Sequence, residues 1–148
     1  MQTLSASFFL LAIILTPFSL QAQEEAAIRK AFDAVGDALR TNDYDAYVAH
    51  LHPDMTIFLP EMDGLGTTGA NPGSIHDGFS GRRVMDIDYQ DVQVSQLDNT
   101  ALVTAFVVGK VTWDGNLSWE GKRKLSSMYV KDGDTWKWYH THISSTVE

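Results

Sequence analysis

Apolar residues recur at spacings of three and four across residues 24–40, and this periodicity predicts one amphipathic helix. The residues that form its apolar stripe are Ile28, Ala31, Phe32, Val35, Ala38 and Leu39. Asn42 or Asp43 can cap a second, shorter helix, whose apolar stripe ends before Pro53. The pattern therefore predicts a helical pair at the start of the domain.

Beyond this pair the pattern is typical of β-strands. A short strand is predicted at residues 55–59, where Pro60 stops it. Four longer strands are predicted at residues 87–97, 100–113, 117–131 and 135–144. Asp132-Gly133 separates the last two strands, and an Asp-Gly pair between β-rich runs indicates a tight hairpin turn.

The predicted strand at 100–113 is apolar on both of its alternating faces. Leu102, Phe106 and Val108 lie on one face, and the opposite face carries Val103, Val107 and Val111. Such a strand is usually covered on both sides, so we expect helices to lie across the sheet. Helices followed by a run of strands indicate an α+β fold.

The segment between the short strand and the longer strands is a predicted loop. Residues 63–81 contain six glycines and Pro72, which is too many for a regular element. Loops of this length are usually lids, binding segments or flexible connections, and the sequence leaves these alternatives open.

Composition excludes several classes of protein. The chain has 148 residues, enough for one domain, and its net charge of -8 argues against nucleic acid and against anionic membrane surfaces. The absence of cysteine excludes disulfides, thiolate metal sites and cysteine nucleophiles. Fold stability must therefore come from packing.

Residues 1–22 resemble a secretory signal peptide. An apolar run at residues 8–15 precedes the small residue Ala22, and the first charged side chain is Glu24. The run is short for a membrane-spanning helix. We expect cleavage near Ala22, a mature domain of residues 23–148, and a secreted or periplasmic location. An uncleaved anchor is the alternative, because the start lacks Lys and Arg.

The last predicted strand carries candidate pocket residues. A period of two places one set of side chains on a single face: Trp136, Trp138, His140, His142 and Ser144. This face changes from aromatic to polar, which suits a strand that enters a ligand cavity at one end. The alternative is an outer strand whose histidines contact water.

His142 is the candidate catalytic acid or base, because imidazole titrates near neutral pH. Arg123 is a candidate anion ligand, since its guanidinium can make a bidentate contact, although a solvated position is the alternative. Trp119 could form an aromatic wall or simply end its strand. The other candidate ligand-binding residues are His140, Ser144 and Phe58.

No cofactor or metal is expected. Two histidines at i and i+2 could share a metal, with a third ligand from His50, His52 or Glu61, but no third ligand stands at a recognisable spacing. The glycine-rich segment lacks the dinucleotide and P-loop patterns, and the chain has no Gly-x-Ser-x-Gly elbow.

The closing hairpin suggests a family. Its order is Arg123, a strand, Asp132-Gly133, Trp136, His140-Thr141-His142 and Ser144. This order resembles the closing hairpin of SnoaL-like domains in the nuclear transport factor two-like superfamily. The long first helix, the short second helix, and His52-Pro53-Asp54 leading into a strand are similar to the same plan, over residues 24–145.

The resemblance implies an α+β cone, in which a strongly curved antiparallel sheet wraps around N-terminal helices and encloses a pocket. The superfamily includes ketosteroid isomerases, polyketide cyclases, epoxide hydrolases and non-catalytic binding or assembly modules, commonly as dimers. Isomerases carry a catalytic aspartate directly before a proline at the end of the first strand. Leu59 stands before Pro60 in this chain, and leucine cannot accept a proton. The helix that often follows this strand is replaced by the glycine-rich segment.

Two functions follow as expectations, because one fold of this kind serves many activities. The first is an exported domain that binds a small apolar molecule, or turns it over in isomerase, cyclase or hydrolase chemistry with His142 as acid or base. The second is a non-catalytic homodimerisation or protein-interaction module that uses the outer face of the sheet. Neither function needs a cofactor, nucleic acid, or a membrane after signal cleavage.

Overall fold

The structure is a computed structural model that describes residues 17–67, Phe79 and residues 83–146. These residues form two helices and six strands. The helices are α1 (Pro17–Thr41) and α2 (Tyr44–Ala49). The strands are β1 (Leu51–Phe58), β2 (Gly66–Thr67), β3 (Arg83–Leu97), β4 (Thr100–Trp113), β5 (Asn116–Asp132) and β6 (Thr135–Ser145).

The helical pair forms where the apolar periodicity predicts it. The predicted stripe of α1 is buried at Ile28, Phe32 and Val35, and Phe32 packs against Tyr89 of β3 with ring centroids 4.6 Å apart. Asp43 caps α2, because its side chain accepts a hydrogen bond from the backbone N–H of Ala46. No helix among the described residues is long and apolar enough to cross a membrane.

The strands form one mixed sheet in the order β2-β1-β6-β5-β4-β3. Every pairing is antiparallel except that of β1 with β6, which is parallel. This parallel pair lies within a sheet that is otherwise antiparallel as expected, and it joins the first strand to the last. Pro53 lies inside β1, where the register with β6 is irregular between Leu51 and Thr56. A proline is tolerated there because no regular ladder bond is lost.

Two paired glycines lie at a bend in the middle of β4 and β5. Gly109 pairs with Gly121, and both have positive φ, at 140° and 116°. A Cβ atom at Gly109 would lie 2.1 Å from the carbonyl oxygen of Asp86, so only glycine fits against β3 there. Glycines in strand interiors often mark such close approaches and bends. The glycine pair therefore allows β3 and β4 to approach closely at this rung.

The sheet has two unlike faces, and the face that contacts α1 is called the inner face. The core lies between α1 and the inner face, which carries Val103, Val107, Leu125 and Tyr129. The opposite, outer face is not covered by either described helix, and Leu102 on β4 is 45% exposed. The expectation that helices cover β4 on both sides is therefore wrong for the described part of the chain, because α1 and α2 both pack on the inner face.

The glycine-rich segment is described only in part. Gly66–Thr67 forms the edge strand β2, which pairs with β1, so the segment is not wholly irregular as predicted. Most of residues 68–82 lie outside the described residues. The alternatives of a lid and a flexible loop concern these residues and stay predictions.

Candidate functional site

A cavity of about 270 Å³ lies between the helices and the inner face of the sheet. Its walls are mainly apolar and aromatic, and they come from α1, α2, β1 and β3 to β6. Representative wall residues are Phe32, Val35, Ile57, Val107, Leu125 and Ile143. Leu59 also lines it, so the position before Pro60 presents a hydrocarbon to the cavity. Concave, largely apolar sites with a few polar groups are typical of small-molecule binding.

Arg123 lines the cavity and is held by two neighbours. Its guanidinium donates a hydrogen bond to Glu61, and its carbon atom lies 4.4 Å from the ring centroid of Trp119. The hydrogen bond to Arg123 holds the pKa of Glu61 below its usual value, although partial burial opposes this. Glu61 is therefore an ionised partner of Arg123 near neutral pH, and a weak proton acceptor.

Arg83 is the second arginine of the cavity wall, and its environment differs from that of Arg123. Its guanidinium carbon lies 4.8 Å from the ring centroid of Phe79. Burial lowers the pKa of Arg83, while the nearby Tyr47 raises it. The Nε and Nη2 atoms are buried and have no hydrogen-bond partner among the described residues. Arg83 is thus a largely buried cation beside the cavity.

Three tyrosines of the wall stay protonated at neutral pH. Burial raises the pKa of Tyr47 and of Tyr89 to about 12, and it raises the pKa of Tyr129 well above 10.0. The phenol groups therefore add polarity to the cavity without negative charge.

A buried hydroxyl pair also belongs to the cavity wall. Ser127 Oγ and Thr141 Oγ1 are 2.6 Å apart, and both residues are almost fully buried. The two side chains satisfy each other where β5 pairs with β6.

The alternation of β6 breaks at Tyr139. Met128 pairs with His140 but Tyr129 pairs with Trp138, so Tyr139 is the extra residue of a β-bulge. Side chains on either side of the bulge therefore change faces: Trp136 and Trp138 point inward, and Thr141 is the next inward residue.

The bulge overturns the predicted face for the end of β6. His140, His142 and Ser144 lie on the outer face, opposite Met128, Ser126 and Lys124. Their predicted place in the pocket is wrong, because a strict period of two cannot show an extra residue. Phe58 is likewise on the outer face: it is exposed, and its ring centroid is 6.1 Å from that of His142.

The outer histidines have local partners. The Nδ1 atom of His140 is hydrogen bonded to Thr56 Oγ1 at 2.8 Å, and His142 is exposed. His52 packs edge-on against Tyr139, with centroids 5.0 Å apart. In the described part of the chain, no three side chains of the metal-binding kinds converge on one point.

Arg123 and Trp119 are the two predicted ligand residues that line the cavity. The sequence reasoning missed Arg83, the three tyrosines and Thr141. Arg83 gave no signal, because it lies before the strand predicted at residues 87–97, whereas β3 begins at Arg83. Thr141 was missed because a strict alternation places it on the outer face, whereas the bulge at Tyr139 turns it inward.

Comparison with known families agrees with this architecture. The model of the SnoaL-like domain matches residues 28–148. This chain belongs to the SnoaL-like family. The resemblance of the closing hairpin is thereby confirmed, together with the α+β cone fold, in which a curved sheet wraps around the N-terminal helices. No curated protein matches the chain.

Solved structures share the fold of this SnoaL-like domain. An NTF2-like protein from Cytophaga hutchinsonii has a TM-score of 0.72 at 14% identity, covering 83% of this chain and 98% of that one. A candidate dehydratase of the NTF2-like family from Streptomyces avermitilis has a TM-score of 0.73 at 17% identity, covering 86% and 99%. The CaMKII hub of S. rosetta has a TM-score of 0.64 at 25% identity, covering 82% and 95%.

Proposed function

We propose that this SnoaL-like domain binds a small, mainly apolar molecule in its cavity. The observation that carries the proposal is the cavity of about 270 Å³ with apolar walls and two arginines. A domain that only needed a core would fill this space with side chains, because protein interiors are close-packed.

Binding fits the cavity better than proton transfer does. Leu59 replaces an acid, and Glu61 is a weak base because its pKa is lowered by Arg123. His142, the predicted acid or base, lies on the outer face. A general base must reach its substrate within hydrogen-bond distance.

Native mass spectrometry of the protein purified from its natural compartment tests this proposal. A retained small molecule is expected in the wild type. Val111→Phe adds bulk to the cavity wall and should remove that molecule, whereas Val84→Phe on the outer face should keep it. The proposal fails if no molecule is retained and none from a library of small apolar compounds binds, or if Val111→Phe binds as the wild type does.

A second candidate function is self-association through the outer face. Phe106 and Val108 lie on the outer face of β4, with Asp88 on β3 to one side and Lys122 on β5 to the other. Lys122 Nζ lies 3.8 Å from the ring centroid of Phe106. At this rung the outer face therefore has an acidic side, an apolar centre and a basic side.

This charge pattern is self-complementary. If a two-fold axis runs parallel to β4, Asp88 of one protomer faces Lys122 of its partner. The partner protomer would then cover Phe106 and Val108, which neither described helix covers. Four of the similar structures have names that refer to a CaMKII hub or a CaMKII association domain.

Light scattering with size-exclusion chromatography tests self-association. The wild type is expected to be a dimer, and Phe106→Glu should yield folded monomer. Asp88→Lys and Lys122→Asp should each weaken the dimer, and the double variant should restore it. A wild type that stays monomeric at high concentration would rule out this second function.

We also propose export. Residues 1–22 have the pattern of a signal peptide, and Glu24 directly after them accepts hydrogen bonds from Lys131 Nζ at 2.6 Å and Trp136 Nε1 at 3.1 Å. A mature chain that begins near Gln23 would keep these two hydrogen bonds of Glu24. N-terminal sequencing of protein from the exported fraction should give a start near residue 23; a start at Met1 would contradict cleavage.

A further inference from the structure

A polar site in the cavity wall consists of Arg123, Glu61 and Trp119, which all line the cavity. Glu61 lies in the turn directly after β1, and a 3.0 Å hydrogen bond from the backbone N–H of Met62 to the carbonyl oxygen of Leu59 closes this turn. The turn therefore holds the carboxylate of Glu61 beside Arg123 of β5, where the two side chains pair.

Two nitrogen atoms of Arg123 remain available at this site. Its Nη2 atom donates to Glu61, and the guanidinium lies over the ring of Trp119. Among the described residues, Nε and Nη1 have no hydrogen-bond partner, and neither is one of the buried polar atoms that lack a partner. Both atoms therefore keep accessible surface, unlike Nε and Nη2 of Arg83. Because the Arg123 side chain is only 13% exposed and lines the cavity, a ligand there can reach these donors.

The charge of this site is already balanced. Glu61 is ionised near neutral pH, because the hydrogen bond to Arg123 lowers its pKa, although partial burial opposes this. A carboxylate ligand at Nε or Nη1 of Arg123 would share the guanidinium with the carboxylate of Glu61, and like charges so close together repel. An uncharged carbonyl oxygen accepts the same hydrogen bonds without this cost.

The other polar groups of the wall act more weakly on a ligand at Arg123. The three tyrosines stay neutral, because burial raises their pKa values. Arg83 is a cation, but it stacks on Phe79 and acts on a group at Arg123 only through space. Glu61 acts at closer range, since it is hydrogen bonded to the same guanidinium that the ligand would contact.

We propose that Glu61 sets the charge preference of the cavity: paired with Arg123, it favours small apolar molecules that carry an uncharged carbonyl group over the corresponding carboxylates. The carbonyl oxygen accepts a hydrogen bond from Nε or Nη1 of Arg123, and the hydrocarbon part lies against the apolar walls. This inference rests on the proposed ligand-binding function, and it adds a ligand class and the residue that selects it.

Matched compounds test the preference. Isothermal titration calorimetry at pH 7 would compare 4-phenylbutanoic, octanoic and indole-3-propanoic acids with the primary amides and methyl ketones of the same carbon chains. At this pH the acids are ionised, whereas the amides and ketones carry no charge. For at least one chain, the wild type is expected to bind the amide and the ketone about ten-fold or more tightly than the acid, because juxtaposed like charges are costly.

Glu61→Gln tests the role of Glu61, since it keeps the shape of the side chain and removes its charge. Binding of the acid relative to the amide should rise about ten-fold or more, and persistent amide binding shows that the variant is folded. Glu120→Gln is the matched control, because Glu120 is also on β5 but is exposed and does not line the cavity. The ratio in this control should stay as in the wild type.

Arg123→Gln separates a contact through Arg123 from a general effect of charge. Alone, it should weaken amide and ketone binding about ten-fold, because hydrogen bonds from a charged donor are lost. Combined with Glu61→Gln, it should abolish the gain in acid binding that Glu61→Gln gives by itself. A gain that persists in the double variant overturns the link between the two residues.

The remaining outcomes separate this inference from the proposed function. Acids that bind the wild type as tightly as amides and ketones, or more tightly, overturn the charge preference and leave cavity binding intact. An unchanged ratio in Glu61→Gln, or an equal rise in Glu120→Gln, overturns the role of Glu61. If no acid, amide or ketone binds while members of the apolar library do, the carbonyl class is wrong; if the library fails as well, the proposed function itself is wrong.

Discussion

The two faces of the sheet are formed by the same strands, but they differ in burial and in composition. On β5, Leu125, Ser127 and Tyr129 point inward and are buried, while Lys124, Ser126 and Met128 between them point outward and are exposed. The inner face lines a mainly apolar cavity, and the outer face carries Asp88 and Lys122 on either side of Val108. A residue's importance in this protein therefore depends first on which face it occupies, and the following experiments test that comparison.

The largest effect is expected from an inward tryptophan. Trp136 is 4% exposed, and its Nε1 donates to Glu24. Trp136→Ala should lower the free energy of unfolding by about 3 to 5 kcal/mol, as for other buried large-to-small changes. Urea denaturation followed by circular dichroism measures this.

His142→Ala is the outer-face control for that experiment. Because His142 is exposed, the free energy of unfolding should change by less than about 0.5 kcal/mol, and ligand binding should stay as in the wild type. A loss of ligand binding in His142→Ala would mean that the two faces are not functionally separate.

The next effect concerns the close approach of Gly109 to β3. Gly109→Ala would place a Cβ atom against the backbone of β3, and we expect a loss of about 2 to 3 kcal/mol in the free energy of unfolding. Gly133→Ala is the matched control, since Gly133 also has positive φ but no atom within 4 Å of the added Cβ.

The control should cost only the backbone strain, about 1 kcal/mol. Equal losses in the two variants, measured by thermal and urea unfolding, would show that contact with β3 adds no cost at Gly109.

A smaller effect is expected from the buried hydroxyl pair of the inner face. Thr141→Val keeps the shape but leaves Ser127 Oγ without its partner, which should cost about 1 to 2 kcal/mol of unfolding free energy. Adding Ser127→Ala should recover part of the loss, because both polar groups are then gone. A double-mutant cycle that gives simple additivity would argue against direct coupling.

The smallest effect is a pH dependence at the cavity wall. Arg123 lowers the pKa of Glu61 below 4.5 in the folded state, so this pair adds stability that is present above about pH 4.5 and is lost as the pH falls. Glu61 is partly exposed, and the contribution should stay below about 1 kcal/mol.

Unfolding curves between pH 7 and pH 3 would measure this contribution. Glu61→Gln should lose less stability on acidification than the wild type does, and Arg123→Gln should show the same flattening. An unchanged slope in both variants would contradict a stabilising pair.

Local chemistry made much of the fold predictable. The Asp132-Gly133 turn and the apolar alternation gave the boundaries of β4 and of the last hairpin to within a residue or two. The parallel pairing of β1 with β6 was not predictable, because it joins residues about 85 positions apart and leaves no mark on either strand alone. The same holds for the contact of Gly109 with β3.

The site was predictable only where the alternation of a strand is unbroken. The register is regular between Trp119 and Arg123, and both residues line the cavity. His142 lies beyond Tyr139, where one inserted residue exchanges the inner and outer faces. Arg83 could not be predicted as a wall residue, because it lies before the strand predicted at residues 87–97.

The bulge at Tyr139 has a consequence for reasoning between relatives. A SnoaL-like protein that paired these two strands without a bulge would place the other set of side chains in its cavity beyond this point. Functional residues can therefore be carried from one relative to another across this point only after the strand pairing of each has been compared.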